Sequence, residues 1–164
     1  MSPCVIDVGN WTIVMLDSTI PGDVPGELYD DDIAFLDRSL KSAKGEHVLV
    51  CLHHHPIPMG CKWLDTQVVA SAGRFFDTID QYPSVRAVIW GHVHQEYAGE
   101  RNGVKLYSVP STCVQFKPFS DDFAVEKTPP GYRWLDLYDD GRIDTQVSRV
   151  EGIEFEVDLS IKGY

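Results

Sequence analysis

The chain is poor in basic residues and has no long apolar run. Lysine and arginine total 14 against 25 aspartates and glutamates, which gives a formal net charge of −11 over 164 residues. This deficit argues against sequence-independent binding to nucleic acid or to an anionic membrane, because their phosphates would be repelled. No apolar run approaches the roughly 18–20 residues that cross a bilayer. We therefore expect neither a nucleic acid nor a membrane as partner.

The chain also lacks a cysteine framework and a secretory signal. Its first residues contain neither the basic nor the apolar region of a signal peptide. The four cysteines have no C-x-x-C spacing: Cys4, Cys51, Cys61 and Cys113. Isolated thiols are typical of a reducing compartment, so we predict a cytoplasmic protein and favour free thiols over disulfides.

The periodicity of the apolar residues predicts one α/β domain over residues 1–164. Short apolar runs predict strands at Trp11–Leu16, Val48–Leu52 and Val85–Trp90. Amphipathic segments predict helices from about Asp30 to Ala43 and from about Gln67 to Gln81. Tight-turn pairs at Asn102-Gly103 and Asp140-Gly141 predict antiparallel hairpins after these units. The expected architecture is a layered α/β domain with a mixed sheet and C-terminal hairpins.

Histidines follow two of the predicted strands. Five of the six histidines in the chain are placed in this way: His53, His54, His55, His92 and His94. A right-handed strand–helix–strand crossover brings both strand ends to the same edge of a sheet, which is where such sheets bind ligands. Neutral imidazoles converging from two loops are good ligands for zinc, manganese or iron.

Each histidine motif also has an ordinary interpretation. A histidine triplet alone is often surface loop, and a G-H-x-H segment can be a plain hairpin pair. Together, at matching strand ends, they favour a metal site. In an extended G-H-x-H segment, His92 and His94 would point to one side and Val93 to the other, while Gly91 would allow a sharp turn.

Longer motifs around these histidines resemble a known family, the calcineurin-like metallophosphoesterases, and in particular their bacterial cyclic-AMP phosphodiesterase branch. The matching segments are Leu52–Pro56 with Pro58 and Gly60, Trp63–Asp65, Trp90–Gln95, Pro110–Pro118 and Pro130–Arg133. The similarity extends from about Gly9 to about Val150, which is nearly the whole chain.

The resemblance implies a fold and a ligand set. The fold would be two packed sheets with helices outside (α/β/β/α), of which this chain would form the C-terminal part. His53 and His92 would bind one metal ion and His94 a second, although the triplet leaves a shift by one residue open. Further residues would support the ligands or face the substrate: His54, His55, Ser111, Thr112 and Gln115. The segment carrying the last three is equally compatible with an ordinary loop after a strand.

The resemblance also implies motifs that the chain does not contain. D-x-H, G-D-x-x-D and G-N-H-[DE] motifs should come earlier; Gly9-Asn10 is followed by Trp11 instead of histidine. We therefore expect the C-terminal portion of an enzyme that converts cyclic AMP to 5′-AMP with two iron, manganese or zinc ions. Alone, the chain should show little activity and partial or no metal occupancy.

Two other functions remain open at this stage, and we predict that the chain self-associates. The chain could be a non-catalytic fragment or interaction module, or a mononuclear metal protein with three histidine ligands. A sheet face left uncovered would favour a homo-oligomer.

Overall fold

The computed structural model describes residues 3–152 and 156–162. The strands are β1 (Cys4–Val8), β2 (Trp11–Met15), β3 (His47–Leu52), β4 (Val85–Trp90), β5 (Tyr97–Arg101), β6 (Val104–Ser108), β7 (Gln115–Phe116), β8 (Val125–Glu126), β9 (Gly131–Leu137) and β10 (Ile143–Arg149). The helices are α1 (Asp30–Lys41), α2 (Lys62–Asp65) and α3 (Ala72–Ile79).

A six-stranded mixed sheet in the order β1-β2-β3-β4-β6-β5 forms the centre of the fold. Strands β2, β3, β4 and β6 are parallel, and the antiparallel strands β1 and β5 lie at the two edges. Because parallel strands share a direction, the carboxyl ends of all four inner strands lie along one edge of the sheet. The mixed sheet was predicted, and it is confirmed.

Helices α1 and α3 cover one face of this sheet. Leu36 and Leu40 of α1, together with Phe75 and Ile79 of α3, are buried in one core with the sheet residue Val50. The apolar stripe of α1 was predicted from its spacing, and acidic residues in its first turn favour the helix dipole. Within the described part of the chain, no helix is long and apolar enough to cross a membrane.

The hairpin β9–β10 covers part of the opposite face. A second buried cluster on that face consists of Trp11, Leu49, Ala87 and Tyr107. Side chains of the hairpin, including Leu135 and Ile143, pack against this cluster. The layers therefore run helix, sheet, sheet, which agrees with the predicted sandwich for the part that the described residues form.

Three local features of the structure were missed, misplaced or only partly predicted. Strand β1 was not predicted; Gly9, with a φ of 54°, and Asn10 form the turn between β1 and β2. The second long helix begins at Ala72 and not near Gln67, because the preceding residues form tight turns after α2. Strand β6 joins the sheet parallel to β4, in addition to its predicted hairpin pairing with β5.

Two exposed glycines have open space at the Cβ position but differ in backbone conformation, so replacing each by alanine should change stability in opposite directions. Gly73 lies inside α3, whereas Gly103 has a φ of 82° in the β5–β6 turn. We expect Gly73→Ala to raise the free energy of unfolding by about 0.5 kcal/mol, because alanine loses less backbone entropy. Gly103→Ala should lower it by about 1–2 kcal/mol, because alanine is strained in the left-handed region. Urea unfolding of both variants measures this; equal effects would contradict the turn geometry.

Candidate metal centre

Polar segments from four parallel strands converge at the shared sheet edge. Asp17 and Ser18 follow β2, the histidine triplet follows β3, and His92 and His94 follow β4. The loop after β6 begins at Val109, whose N–H donates to the carbonyl oxygen of Trp90 (3.0 Å). The predicted convergence of the two histidine groups is therefore present in the fold.

His53 and His92 are in direct contact. Leu52 pairs with Trp90, and the N–H of Gly91 donates to the carbonyl oxygen of His53 (3.1 Å), so the two loops leave the sheet side by side. A Cβ atom on Gly91 would lie 3.3 Å from Nδ1 of His53, so glycine gives this ring its space. Nε2 of His53 consequently lies 3.3 Å from Nδ1 of His92.

The second nitrogen of His92 has a strong partner. Nε2 of His92 lies 2.7 Å from Oε1 of Gln67, so Nε2 carries the proton and donates it to the amide oxygen. Nδ1 is therefore left with a lone pair directed toward His53. A ring whose outer N–H donates to a carbonyl oxygen is the usual arrangement of a metal-binding histidine.

His54 lies within the same cluster, but both of its ring nitrogens already have partners. Ligand atoms of His53, His54 and His92 all lie within 4.8 Å of one another. Nε2 of His54 donates to the carbonyl oxygen of Val24 (3.0 Å), and Nδ1 accepts a hydrogen bond from the hydroxyl of Ser18 (2.9 Å). His54 therefore ties the loop after β2 to the cluster.

His94 points to a different place from His92. Its Nδ1 donates to the carbonyl oxygen of Val114 (3.0 Å), and its ring stacks on Phe116 at 4.2 Å with an interplanar angle of 11°. The expectation of an extended segment with both histidines on one side is wrong, because His92 and His94 have φ values of 56° and 49°. Two left-handed residues turn the chain twice, while Val93 is buried as expected.

His55 is enclosed behind the cluster. Its ring is fully buried and stacks on His92 at 5.7 Å, with an interplanar angle of 15°. Neither ring nitrogen has a hydrogen-bond partner of regular geometry, although the backbone of Leu64 lies near. Burial lowers the pKa of His55 to about 4, against an opposing effect of the Asp65 carboxylate.

Burial keeps the whole group of histidines neutral. It lowers the pKa of His92 to about 3, with further lowering by the neighbouring histidines. The pKa values of His53, His54 and His94 are also lowered, in each case chiefly by burial. Neutral imidazoles are the form that binds metal ions.

Ser111 and Thr112 lie in the loop after β6, and Gln115 is the first residue of β7. The buried amide of Gln115 accepts from the N–H of Ser111 (3.1 Å) and donates to its carbonyl oxygen (2.7 Å), so it closes the loop on itself. Thr112 lines a separate cavity next to residues 156–158. The loop reaches the histidines through the carbonyl of Val114.

The nitrogen pair of His53 and His92 fits a metal ion. Two imidazole nitrogens bound at about 2.05 Å in a tetrahedral site lie about 3.3 Å apart, which matches the observed separation of 3.3 Å. In the described ranges, the cluster of candidate ligands contains histidines and no carboxylate. The cluster therefore offers part of a coordination shell.

The site depends on residues that the sequence did not identify. Gln67, Ser18, Val24 and Val114 orient the histidine rings, and Gly26 lies so close to His54 that a Cβ atom there would overlap its ring. Val114 lies in the matching segment Pro110–Pro118, whereas Gln67, Ser18 and Val24 lie outside all the matching segments. The single available signal is Gly26 itself, inside a turn-rich segment.

Two solved structures share the fold of this chain. The chain superposes on a dimetal phosphatase from Danio rerio with a TM-score of 0.56 and 16% identity, covering 78% of this chain and 54% of that one. It superposes on PhoD with a TM-score of 0.53 and 12% identity, covering 90% and 40%. At these identities the two likenesses concern the fold. No family model matches the chain.

Sequence relatives are more similar to this chain. The cyclic-AMP phosphodiesterase CpdA of Pseudomonas aeruginosa is 48% identical over 160 residues, which cover 98% of this chain and 59% of the relative. CpdA of Escherichia coli K12 is 40% identical over 154 residues, covering 94% and 56%. The chain is thus similar to CpdA along nearly its whole length, as its motifs predicted, and it spans a little over half the length of these relatives.

Because His55 is buried in its neutral form, the free energy of unfolding should depend on pH. In the metal-free chain, the free energy of unfolding should fall as the pH drops from about 6.5 toward about 4. In this range His55 binds a proton in the unfolded state but not in the folded state. A shift from 6.5 to about 4 corresponds to a loss of about 3 kcal/mol. Chelator-treated protein unfolded by urea across this range measures it.

A variant pair isolates the contribution of His55. His55→Phe should keep the stacked ring, lose no hydrogen bond and reduce the loss of stability in acid. His47→Gln, at the opposite end of β3, is the control for replacing a histidine outside the cluster. An identical acid response in His55→Phe and the unmodified chain would show that His55 is not the titrating group.

Proposed function

We propose that this chain is part of a metal-dependent phosphodiesterase that hydrolyses 3′,5′-cyclic nucleotides, converting cyclic AMP to 5′-AMP. The observation that carries the proposal is the 3.3 Å approach of Nε2 of His53 to Nδ1 of His92 at the ends of β3 and β4. The CpdA relatives are named as cyclic-AMP phosphodiesterases, and a relative from Nostoc that is 37% identical is named as a 3′,5′-cyclic-nucleotide phosphodiesterase.

In this proposal three histidines are metal ligands. His53 and His92 hold one ion through the facing nitrogens. His94 holds a second ion through Nε2, because its Nδ1 donates to Val114. Imidazole ligands suit iron, manganese and zinc. Such ions, when bound, would lower the pKa of a water molecule to roughly 7 and stabilise charge on the phosphodiester.

The other histidines have supporting roles. His54 anchors the loop of Ser18 and Val24 beside the ligands, and His55 packs against the ring of His92. The loop of Ser111, Thr112 and Gln115 holds His94 through its backbone and borders the approach to the site. His92 and His94 already carry their protons on the nitrogens that face Gln67 and Val114, whereas the proton in the contact between His53 and His92 must move when a metal ion binds.

Carboxylates must come from outside this cluster. Neutral imidazoles cannot offset the charge of two cations as carboxylates do. We therefore propose that residues 1–164 form one portion of a larger metallophosphoesterase domain, whose remaining ligands lie in the length of the relatives that this chain does not span.

A small phosphodiester suits the surroundings of the site better than a polymer. A cavity of about 330 Å³ beside His53 is lined by apolar and polar side chains, including Leu16, Asp17, Thr19 and Leu52. This volume lies at the lower end of the range for small-molecule sites. The net charge of −11 disfavours a nucleic acid or an anionic membrane as partner.

Self-association and a cytoplasmic location complete the proposal. Val5, Ile6 and Val8 are exposed on the edge strand β1, which supports homo-oligomer formation through this uncovered surface. Cys4, Cys51, Cys61 and Cys113 are all free thiols, which is consistent with a reducing compartment.

Joining the chain to the unmatched portion of the P. aeruginosa relative tests the function directly. With manganese, iron or zinc, the joined protein should form 5′-AMP from cyclic AMP, monitored by chromatography. His53→Ala or His92→Ala should lower kcat about 100-fold or more, because a ligand is lost, whereas His47→Ala should not. The proposal fails if no metal supports turnover, or if His92→Ala retains full activity.

The 164-residue chain by itself should behave differently. We expect turnover near background and weak, substoichiometric metal binding, since the cluster lacks carboxylates. Metal content after purification without chelator, measured by plasma mass spectrometry, gives the occupancy. About two tightly bound ions per chain, with hydrolysis that His92→Ala abolishes, would show that the described histidines need no ligands from elsewhere.

A further inference from the structure

Gln67 occupies a position that its own backbone fixes next to the histidine cluster. It lies in the turn after α2, where its N–H donates to the carbonyl oxygen of Leu64 (2.9 Å). Two residues later, the N–H of Val69 donates to the carbonyl oxygen of His55 (3.0 Å). The segment that carries Gln67 is thus tied to the histidine triplet, so the side chain reaches His92 from a rigid support.

The contact between Gln67 and His92 is the shortest hydrogen bond that any ring of the cluster makes among the described residues. Oε1 of Gln67 lies 2.7 Å from Nε2 of His92, compared with 2.9 and 3.0 Å for the bonds of His54 and 3.0 Å for that of His94. An oxygen acceptor at this distance requires the proton on Nε2. Nδ1 then has the lone pair, and it faces Nε2 of His53 at 3.3 Å.

The orientation of this carboxamide is linked to which ring nitrogen of His92 carries the proton. Rotated by half a turn, the same side chain would present its N–H₂ group to Nε2 of His92. The ring would then hold its proton on Nδ1, where it would donate to His53 and leave no lone pair for a metal ion. The orientation of this amide therefore decides whether Nδ1 of His92 has a lone pair that can bind a metal ion.

We infer that Gln67 is a positioning residue that holds His92 as its Nε2–H tautomer and thereby presents Nδ1 for metal binding. The metal part of this inference rests on the proposed function. The tautomer part concerns the metal-free chain alone, so it can be tested separately.

Three substitutions separate this role from simple packing. Gln67→Glu keeps an oxygen acceptor in place. Gln67→Met has a similar length and shape but neither donor nor acceptor. Gln81→Met is the matched control, because the exposed Gln81 amide donates to the carbonyl oxygen of Asp77 (2.9 Å), away from the cluster.

The first measurement is the histidine tautomer in the metal-free chain at pH 7.5, from long-range ¹H–¹⁵N correlation spectra. The unmodified chain, Gln67→Glu and Gln81→Met should show His92 as the Nε2–H tautomer. Gln67→Met should show a mixture with the Nδ1–H form. A folded Gln67→Met variant with an unchanged His92 signal overturns the inference; its near-ultraviolet circular dichroism checks the fold.

The second measurement is zinc affinity by calorimetry, made on the protein joined to the unmatched portion of the P. aeruginosa relative, because the 164-residue chain alone should bind metal weakly. Gln67→Met should weaken binding about 10–100-fold, as loss of a hydrogen bond behind a ligand does in other metal sites. Gln67→Glu should bind at least as tightly as the unmodified chain, and Gln81→Met equally. Equal affinity in all four proteins overturns the metal part. If none of them binds zinc, the proposed metal function is at fault, and the tautomer spectra still decide the role of Gln67.

Discussion

The parallel register between β3 and β4 is the constraint on which the site depends. Leu52 pairs with Trp90, so the residues that follow them leave the sheet next to each other and bring His53 against His92. Buried side chains on both strands hold this register, since a slip by one residue would send Arg86 into the core and valines to the surface. The same register therefore stabilises the sheet and sets the positions of His53 and His92.

Backbone strain at the end of β4 is the second requirement. His92 and His94 both adopt left-handed conformations, which cost of order 1–3 kcal/mol each. Burial of Val93 and the hydrogen bonds of both rings offset this cost. The double turn separates the two rings, so that His92 contacts His53 while His94 reaches the loop of Val114. One short segment thereby presents imidazole rings in two directions.

Much of the fold was predictable because its elements carry strong local signals. The buried strands β3 and β4 are continuous apolar runs, and Asn102-Gly103 is a strong hairpin turn. The start of α3 was misplaced because the N–H groups of Val69 and Ala70 donate to the distant carbonyl oxygens of His55 and Gly26 and not to residues four positions earlier. Strand β1 was missed because its five residues, three of them exposed and apolar, form a strand only through pairing with β2.

The sequence by itself determined the class of the site: histidines at the ends of two neighbouring strands, in motifs of the CpdA-type family. Only the tertiary structure decided which ring nitrogens have hydrogen-bond partners. That choice depends on Gln67, Val114 and Ser18, which lie 25, 20 and 36 residues from the histidines they contact. An imidazole has two nearly equivalent tautomers, so the environment assembled by folding sets the position of its proton.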